Sequence, residues 1–304
     1  MATDDIAEFI RSGLEGKGYR ARVLPIKHVA QLKHEIEEGL SQGRIDAGLY
    51  EKYLTYFKFD VAASLPGARS IIITAAPQPQ RKAAFHFNGQ TYSGIIPPTY
   101  YHDTDNSIKE TLQKVLSSSG YQLRPVVLPV KLLAVRSGMA QYGKNNITYA
   151  EGLGSFMRLK AFLSDMPPDR SDWLEPQEMK ECGSCTACVK ACPAKAILPD
   201  QFRIHAERCL TFFNEDTEEF PEWIDPGWHN SLIGCMKCQL VCPVNKRFVK
   251  WVEEGETFNE AETELILNGV PIDGMPPDTA HKLTRSYMVD YLDVLPRNLR
   301  VLMK

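Results

Sequence analysis

Outside one short window the sequence has no cysteine at all: the eight it contains lie between Cys182 and Cys242. It has no apolar run near the roughly 18 residues that span a bilayer, the longest candidates being residues 70–76 and 126–135. The start, Met1-Ala-Thr-Asp-Asp, carries neither a basic segment nor a twin arginine, so no export signal is legible and a reducing, cytoplasmic setting is expected. There is no basic excess either. A net charge of −3 gives no chain-wide attraction for phosphate and leaves only a local basic patch for a nucleic acid. With 304 residues, 43% hydrophobic and 24% charged, the chain is of ordinary globular composition and has room for about two domains.

The cysteine window carries the strongest chemistry. It opens with Cys182-Gly-Ser-Cys185-Thr-Ala-Cys188-Val-Lys-Ala-Cys192-Pro193, a C-x2-C-x2-C-x3-C-P run. It closes with Cys235-Met-Lys-Cys238-Gln-Leu-Val-Cys242-Pro243, and Cys209 stands alone between the two. This is the spacing of a bacterial-type two-cluster ferredoxin, in which the fourth cysteine of one run ligates the other cluster. The expected sets are Cys182, Cys185, Cys188 and Cys242 for one [4Fe–4S] cluster, and Cys192, Cys209, Cys235 and Cys238 for the second. Soft thiolates suit iron, and the small residues Gly183, Ser184, Thr186 and Ala187 let backbone N–H groups approach the sulfides. A four-cysteine zinc site needs no doubled C-x3-C-P ending, and disulfides do not suit a reducing compartment. The second run has lost its leading cysteine, for which Cys209 stands in. That opens an insert, residues 210–234, rich in acids and aromatics, which reads as a docking surface for an electron donor, a substrate wall or a solvated loop.

Upstream, apolar periodicity predicts helices over residues 3–18 and 28–42 with a short strand between them. His28 and His34 read as solvated helix residues. The aromatic stretch 50–59 (Tyr53, Tyr56, Phe57, Phe59) reads as core packing at helical spacing. Pro66-Gly67 marks a turn into a buried strand ending at Ala76, and Asn88-Gly89 the turn of a hairpin. A helix over 104–118 and a strand over 122–129 follow, then a loop, Gly138-Met-Ala-Gln-Tyr-Gly-Lys-Asn-Asn146, and a strand or short helix over 152–163. Residues 167–178 form a proline-rich linker. Helical pieces are expected near 248–254, 260–268 and 279–292. The predicted division is an α/β domain over 1–170, a two-cluster module over 171–248 and a short helical segment over 249–304.

Taken with these motifs, the chain resembles epoxyqueuosine reductase and its relatives, cytoplasmic oxidoreductases that combine two [4Fe–4S] clusters with a cobalamin and are related to reductive dehalogenases. The resemblance rests on Cys-Gly-Ser-Cys-Thr-Ala-Cys188, Ala-Cys-Pro193, the lone Cys209 and Gly234-Cys-Met-Lys-Cys-Gln-Leu-Val-Cys-Pro-Val-Asn245. Leu65-Pro-Gly-Ala-Arg-Ser-Ile-Ile72, the Gly143-Lys-Asn145 loop and Gly154-Ser-Phe156 extend it over roughly residues 6–245. It implies an α/β (α+β) N-terminal domain of nitroreductase-like architecture that binds cobalamin base-off, without a protein histidine. A ferredoxin-like module and a short helical C-terminus follow. The implied corrin contacts are Phe57, Tyr100, Gly138, Met139, Gly143, Lys144, Asn145, Ser155, Phe156 and Thr211, with the clusters feeding electrons to the corrin.

Three departures stand out. The family carries an aspartate proton donor just before the Gly-Lys-Asn loop, but Arg124-Pro-Val-Val-Leu-Pro-Val-Lys131 contains no acid. Leu210-Thr-Phe-Phe follows the lone cysteine where the family reads Ser-Tyr-Leu-Thr. The C-terminal helical repeats are truncated. With the net charge, these lead to the expectation of a small, non-tRNA substrate. The proton would come from Tyr101, His102 or Tyr142, with Lys131 and Lys144 next in line. The expected partners are a small molecule and an external donor such as a ferredoxin or flavodoxin, with tRNA unlikely and no membrane. Two alternatives stand beside this reading: a ferredoxin-type carrier without corrin, and a genuine epoxyqueuosine reductase acting on tRNA. The long stretch before Cys182 favours an enzyme over a carrier, which needs only about 60 residues for two clusters.

Overall fold

The computed structural model describes residues 3–169 and 172–304; Arg170 and Ser171, in the expected linker, fall outside them. By packing, the chain divides into two units: Met1–Pro77 with Asp103–Ser184, and Gln78–His102 with Cys185–Lys304.

The first unit is built on a four-stranded antiparallel sheet in the order Arg20–Pro25, Ser70–Pro77, Met157–Ser164, Leu123–Val126. The Ser-Ile-Ile-Ile-Thr-Ala-Ala run of Ser70–Pro77 is apolar on both faces because helices cover both. Ile71, Ile73 and Ala75 pack with Leu32, Leu133 and Val135 of helices His28–Ser41 and Val130–Arg136. Ile72 and Ala76 point the other way, to Ile6, Ile10 and Leu14 of Thr3–Glu15 and to Ile108, Leu112 and Leu116 of Asp103–Ser118. The period of two on the strand and of three to four on the helices thus build one α/β/α sandwich. Asp105, in the first turn of its helix, ties that layer to the sheet through Arg158 at 3.1 Å and Lys160 at 3.1 Å. Burial pushes its carboxyl up, but the hydrogen bond and charge of Arg158, with Lys160, win and hold it below the usual range.

Two expectations for this unit are corrected. The aromatic stretch is not core: helix Ala47–Tyr53 ends inside it, buries no residue, and Tyr56 is 52% exposed. A new turn capped by Asp60 follows, so the aromatics never line up on one helical face; Phe59 alone packs on the core and Phe57 is half-buried. His28 is not solvated. It is 2% exposed and stacks on Trp173 with ring centroids 4.2 Å apart and planes within 5°.

The second unit begins with the hairpin Gln80–Phe87/Gln90–Ile96, whose turn residues Asn88 and Gly89 both take positive φ (50° and 71°) as a two-residue turn requires. Strand Gln80–Phe87 also pairs, in parallel, with Val252–Phe258. This corrects the helix expected near 248–254. The acids Glu253, Glu254 and Glu256 suit an edge strand turned to solvent, and Phe258 at its end stacks on Phe85 at 5.0 Å. Helix Glu260–Leu267 starts on a capping box formed by Asn259 and Glu262. It and helices Pro277–Arg285 and Leu295–Leu302 deliver Ile266, Leu283, Leu295 and Leu299 to a core shared with Ala83, Phe85, Ile96, Leu232 and Ile233. The packing units therefore differ from the segments 1–170, 171–248 and 249–304, because the hairpin's apolar face is completed by residues far downstream. No helix among the described residues is long and apolar enough to cross a membrane.

Candidate functional site

None of the eight cysteines is in a disulfide, and all are partly buried. Within the second unit, short helices Ala187–Ala191 and Lys237–Leu240 carry the middle of the two runs and pack against each other. Cys192 and Cys242 sit just beyond them in extended conformation, and Pro243 opens a 3-10 turn that carries the chain away.

Cys192, Cys209 and Cys235 come within electrostatic reach of one another. Burial pushes the Cys209 thiol up to about 11; the backbone N–H and hydroxyl of Thr211 oppose this, and Cys235 and Cys192 add to it. Burial likewise raises Cys235, against the Lys237 N–H and the Asn230 side chain. Three thiols gathered in a buried place resist joint ionisation unless a cationic centre compensates them, which is the condition an iron–sulfur cluster meets. Donors already face these sulfurs: Ala196 N–H lies 3.4 Å from Cys192 Sγ and Asn230 Nδ2 lies 3.5 Å from Cys235 Sγ. The residues present fit the second cluster. Of the other set, Cys182 closes the first unit, while Cys185, Cys188 and Cys242 belong to the second.

In the first unit the loop expected around Gly138–Asn146 is a small hairpin of strands Ala140–Tyr142 and Thr148–Ala150. Asn145 holds it, accepting from Ile147 N–H at 3.3 Å and donating to the Tyr149 hydroxyl at 3.0 Å. A Cβ on Gly143 would stand 2.6 Å from the Tyr149 ring, and one on Gly138 2.8 Å from Leu174, so the chain's own packing demands both glycines. Lys144, also buried, donates to the Gly183 carbonyl at 3.3 Å, next to Cys182. Met139, Ser155 and Phe156 are buried in the same unit. Its two histidines, His28 and His34, both lie on the His28–Ser41 helix.

Tyr100 and Thr211 lie in the second unit. The Tyr100 phenol donates to Glu215 and packs on Gly234, where a Cβ would stand 2.5 Å from its hydroxyl. Burial first, and the Glu215 charge second, keep that phenol protonated far above the ordinary range. Of the expected proton donors, Tyr101 is 1% exposed, donates to the Pro79 carbonyl and carries the Arg81 guanidinium 4.4 Å above its ring. That is a structural post rather than an available acid. His102 leans on Tyr287 at 5.0 Å. Tyr142 is on the small hairpin of the first unit; burial, with the nearby Glu35, raises its phenol well above the ordinary value against Arg136.

Sequence reading missed the amides that hold the second cluster's ligands. Asn298, on the last helix, donates from Nδ2 to the carbonyls of Asn214 at 2.8 Å and Leu232 at 2.9 Å. Asn214 donates in turn to the Gly234 carbonyl at 2.6 Å. The residues after Cys209 and those before Cys235 are thereby tied together by the C-terminal helix. An asparagine in a loop or helix carries no spacing signal, so nothing in the sequence marked these two.

Residues 181–245 match the family model of a 4Fe-4S double cluster binding domain. The chain is 26% identical to an epoxyqueuosine reductase of Atelocyanobacterium thalassa over 260 residues, 81% of each chain. It is 30% identical to that of Bacillus subtilis over 194 residues, 60% of this chain and 49% of the relative. Its fold matches a solved Bacillus subtilis epoxyqueuosine reductase, whose catalytic aspartate loop is swung out of the active site, with a TM-score of 0.67 at 20% identity over 99% of this chain and 80% of that one. It also matches an epoxyqueuosine reductase bound to an epoxyqueuosine-modified tRNA stem loop, with a TM-score of 0.65, 20% identity and the same coverage. These findings overturn the expectation that tRNA is an unlikely partner and a small molecule the substrate: the relatives are epoxyqueuosine reductases, and one of the matched structures holds a tRNA stem loop. The charge argument failed because −3 is a sum over the chain, whereas phosphate is met by a local surface to which any of 35 Lys and Arg can contribute.

Proposed function

We propose that this chain, similar to epoxyqueuosine reductases along most of its length, is an iron–sulfur, cobalamin-dependent reductase of epoxyqueuosine in tRNA. The observation that carries the proposal is the double-cluster cysteine set, three of whose members converge in one buried place, in a chain with the epoxyqueuosine reductase fold. When bound, the clusters supply single electrons at low potential and the corrin a nucleophilic cobalt, for a net reaction in which epoxide, two electrons and two protons give alkene and water.

Cys182, Cys185, Cys188 and Cys242 hold one cluster, and Cys192, Cys209, Cys235 and Cys238 the other. The first unit provides the nitroreductase-like cobalamin-binding domain, with Phe57, Met139, Lys144, Asn145, Ser155 and Phe156 as its corrin contacts. The rigid loop braced by Asn145 and Tyr149 fixes the Lys144 ammonium against the Gly183 carbonyl, which keeps the start of the first cysteine run in place. Residues 124–131, where the resemblance would put the family's proton-donating aspartate, contain no acid. The proton at the leaving oxygen is therefore assigned to the Tyr142 phenol, which burial keeps protonated until a strong base forms beside it. Eight cysteines committed to clusters rather than disulfides suit a reducing compartment, the cytoplasm.

The test is direct. Full-length protein, reconstituted anaerobically with iron, sulfide and cobalamin, is mixed with a chemical reductant and tRNA carrying epoxyqueuosine, and the digested nucleosides are resolved by mass spectrometry. Conversion to queuosine is expected. A preparation holding both clusters and cobalamin that leaves the epoxide intact overturns the reading.

A further inference from the structure

We propose that the side chain of Asn230 sets the reduction potential of the second cluster by donating a hydrogen bond to one of its thiolate sulfurs, that of Cys235. The inference rests on the cluster part of the functional reading and needs neither corrin nor tRNA.

The Asn230 carboxamide has one orientation open to it. Its Oδ1 accepts from the Met236 backbone N–H at 3.0 Å and from the Ser231 hydroxyl at 3.2 Å. A backbone N–H can only donate, so the oxygen must face Met236, and the NH2 is left on the sulfur side, 3.5 Å from Cys235 Sγ. The loop that carries it is fixed in turn. Ser231, 1% exposed, also donates to the Gly234 carbonyl at 3.2 Å, and Leu232 N–H donates to the Ile95 carbonyl at 2.8 Å. Reduction adds negative charge to the cluster and its sulfurs. Donors aimed at sulfur in a buried site stabilise the reduced form more than the oxidised one and raise the potential.

Backbone donors such as Ala196 N–H come with the cysteine run itself. Asn230 does not: it lies in the insert of residues 210–234 that the displaced Cys209 opens. The insert thereby acquires a task, to deliver a side-chain donor to the cluster whose ligand it separates from the rest.

The experiment uses the full chain, reconstituted anaerobically, with iron counted and each cluster followed by EPR during a redox titration. Cys209→Ser identifies the signal of the second cluster. Asn230→Leu keeps the shape and removes the donor, and the reduced-to-oxidised ratio of the second cluster at a fixed poise is expected to fall at least tenfold, about 59 mV for one electron, with the other cluster unmoved. Asn230→Asp, which turns a carboxylate on the sulfur, is expected to lower it further. Asn230→Leu holding eight irons with a ratio within twofold of wild type overturns the proposal. Should Asn230→Leu lose four irons, Asn230→Asp decides alone: a fall of tenfold or more supports the tuning role, and either no shift or loss of its cluster overturns it. Wild-type protein with both clusters that fails to reduce tRNA defeats the functional reading and leaves this inference standing.

Discussion

At the scale of the residue, burial decides what each titratable group can do. Tyr142 and Tyr101 are both phenols picked out by chemistry, yet Tyr101 spends its proton on the Pro79 carbonyl in the core. Replacing Tyr142 by Phe is expected to lower the rate of epoxide reduction about 100-fold with cluster content unchanged, the usual contribution of a positioned general acid. Wild-type turnover in that variant would remove Tyr142 from the chemistry. His229 makes a second case. Its ring lies 4.5 Å from Phe220, and both buried nitrogens find no hydrogen-bond partner. Burial, then the charges of Arg297 and Lys237, lower it from 6.5 to about 4. The unfolded chain takes up this proton near 6.5 and the folded one only near 4, so the stability contributed by neutral His229 is complete above 6.5 and is lost as pH falls through that window. His229→Phe is expected to flatten the decline of Tm between those two pH values; an unchanged slope would contradict the assignment.

Elements here are held by partners far away in sequence. The hairpin Gln80–Phe87/Gln90–Ile96 was legible from Asn88-Gly89, but its third strand, Val252–Phe258, was not. Its run of glutamates has neither strand alternation nor strand propensity, and only the free edge of Gln80–Phe87 and the stacking of Phe258 on Phe85 make it extended. Both rings are 1% exposed, so Phe258→Ala is expected to cost about 3–5 kcal/mol, measurable as a lower denaturant midpoint. A loss under 1 kcal/mol would mean that the sheet is anchored elsewhere. In the first unit, by contrast, helices Thr3–Glu15 and His28–Ser41 and strand Ser70–Pro77 follow the sequence pattern closely, because each buries a regular stripe on a neighbouring layer.

At the scale of the whole molecule, the two assigned cysteine sets are crossed: one takes three ligands from the opening run and Cys242 from the closing one, the other takes Cys235 and Cys238 from the closing run, Cys192 from the opening one and the lone Cys209. Cys209→Ala is therefore expected to remove one cluster and leave the other, taking the iron content from about eight to about four per chain. Loss of all iron from this variant would show that the two sites cannot form separately. The same crossing explains why the C-terminal helix matters to chemistry, since Asn298 and Asn214 lash the segments bearing Cys209 and Cys235 to each other.

The sequence by itself determined the redox centre, because cluster ligation is a matter of residue type and spacing, and eight cysteines in one window leave little else to choose. It determined the helices and strands of the first unit for a similar reason: their information is local. Only the tertiary structure decided that Tyr101 is sequestered, that residues 252–258 are a strand and that Asn230 turns its NH2 to a cysteine sulfur. Each of these depends on a partner that no periodicity announces, brought close by long-range packing rather than by neighbours in the chain.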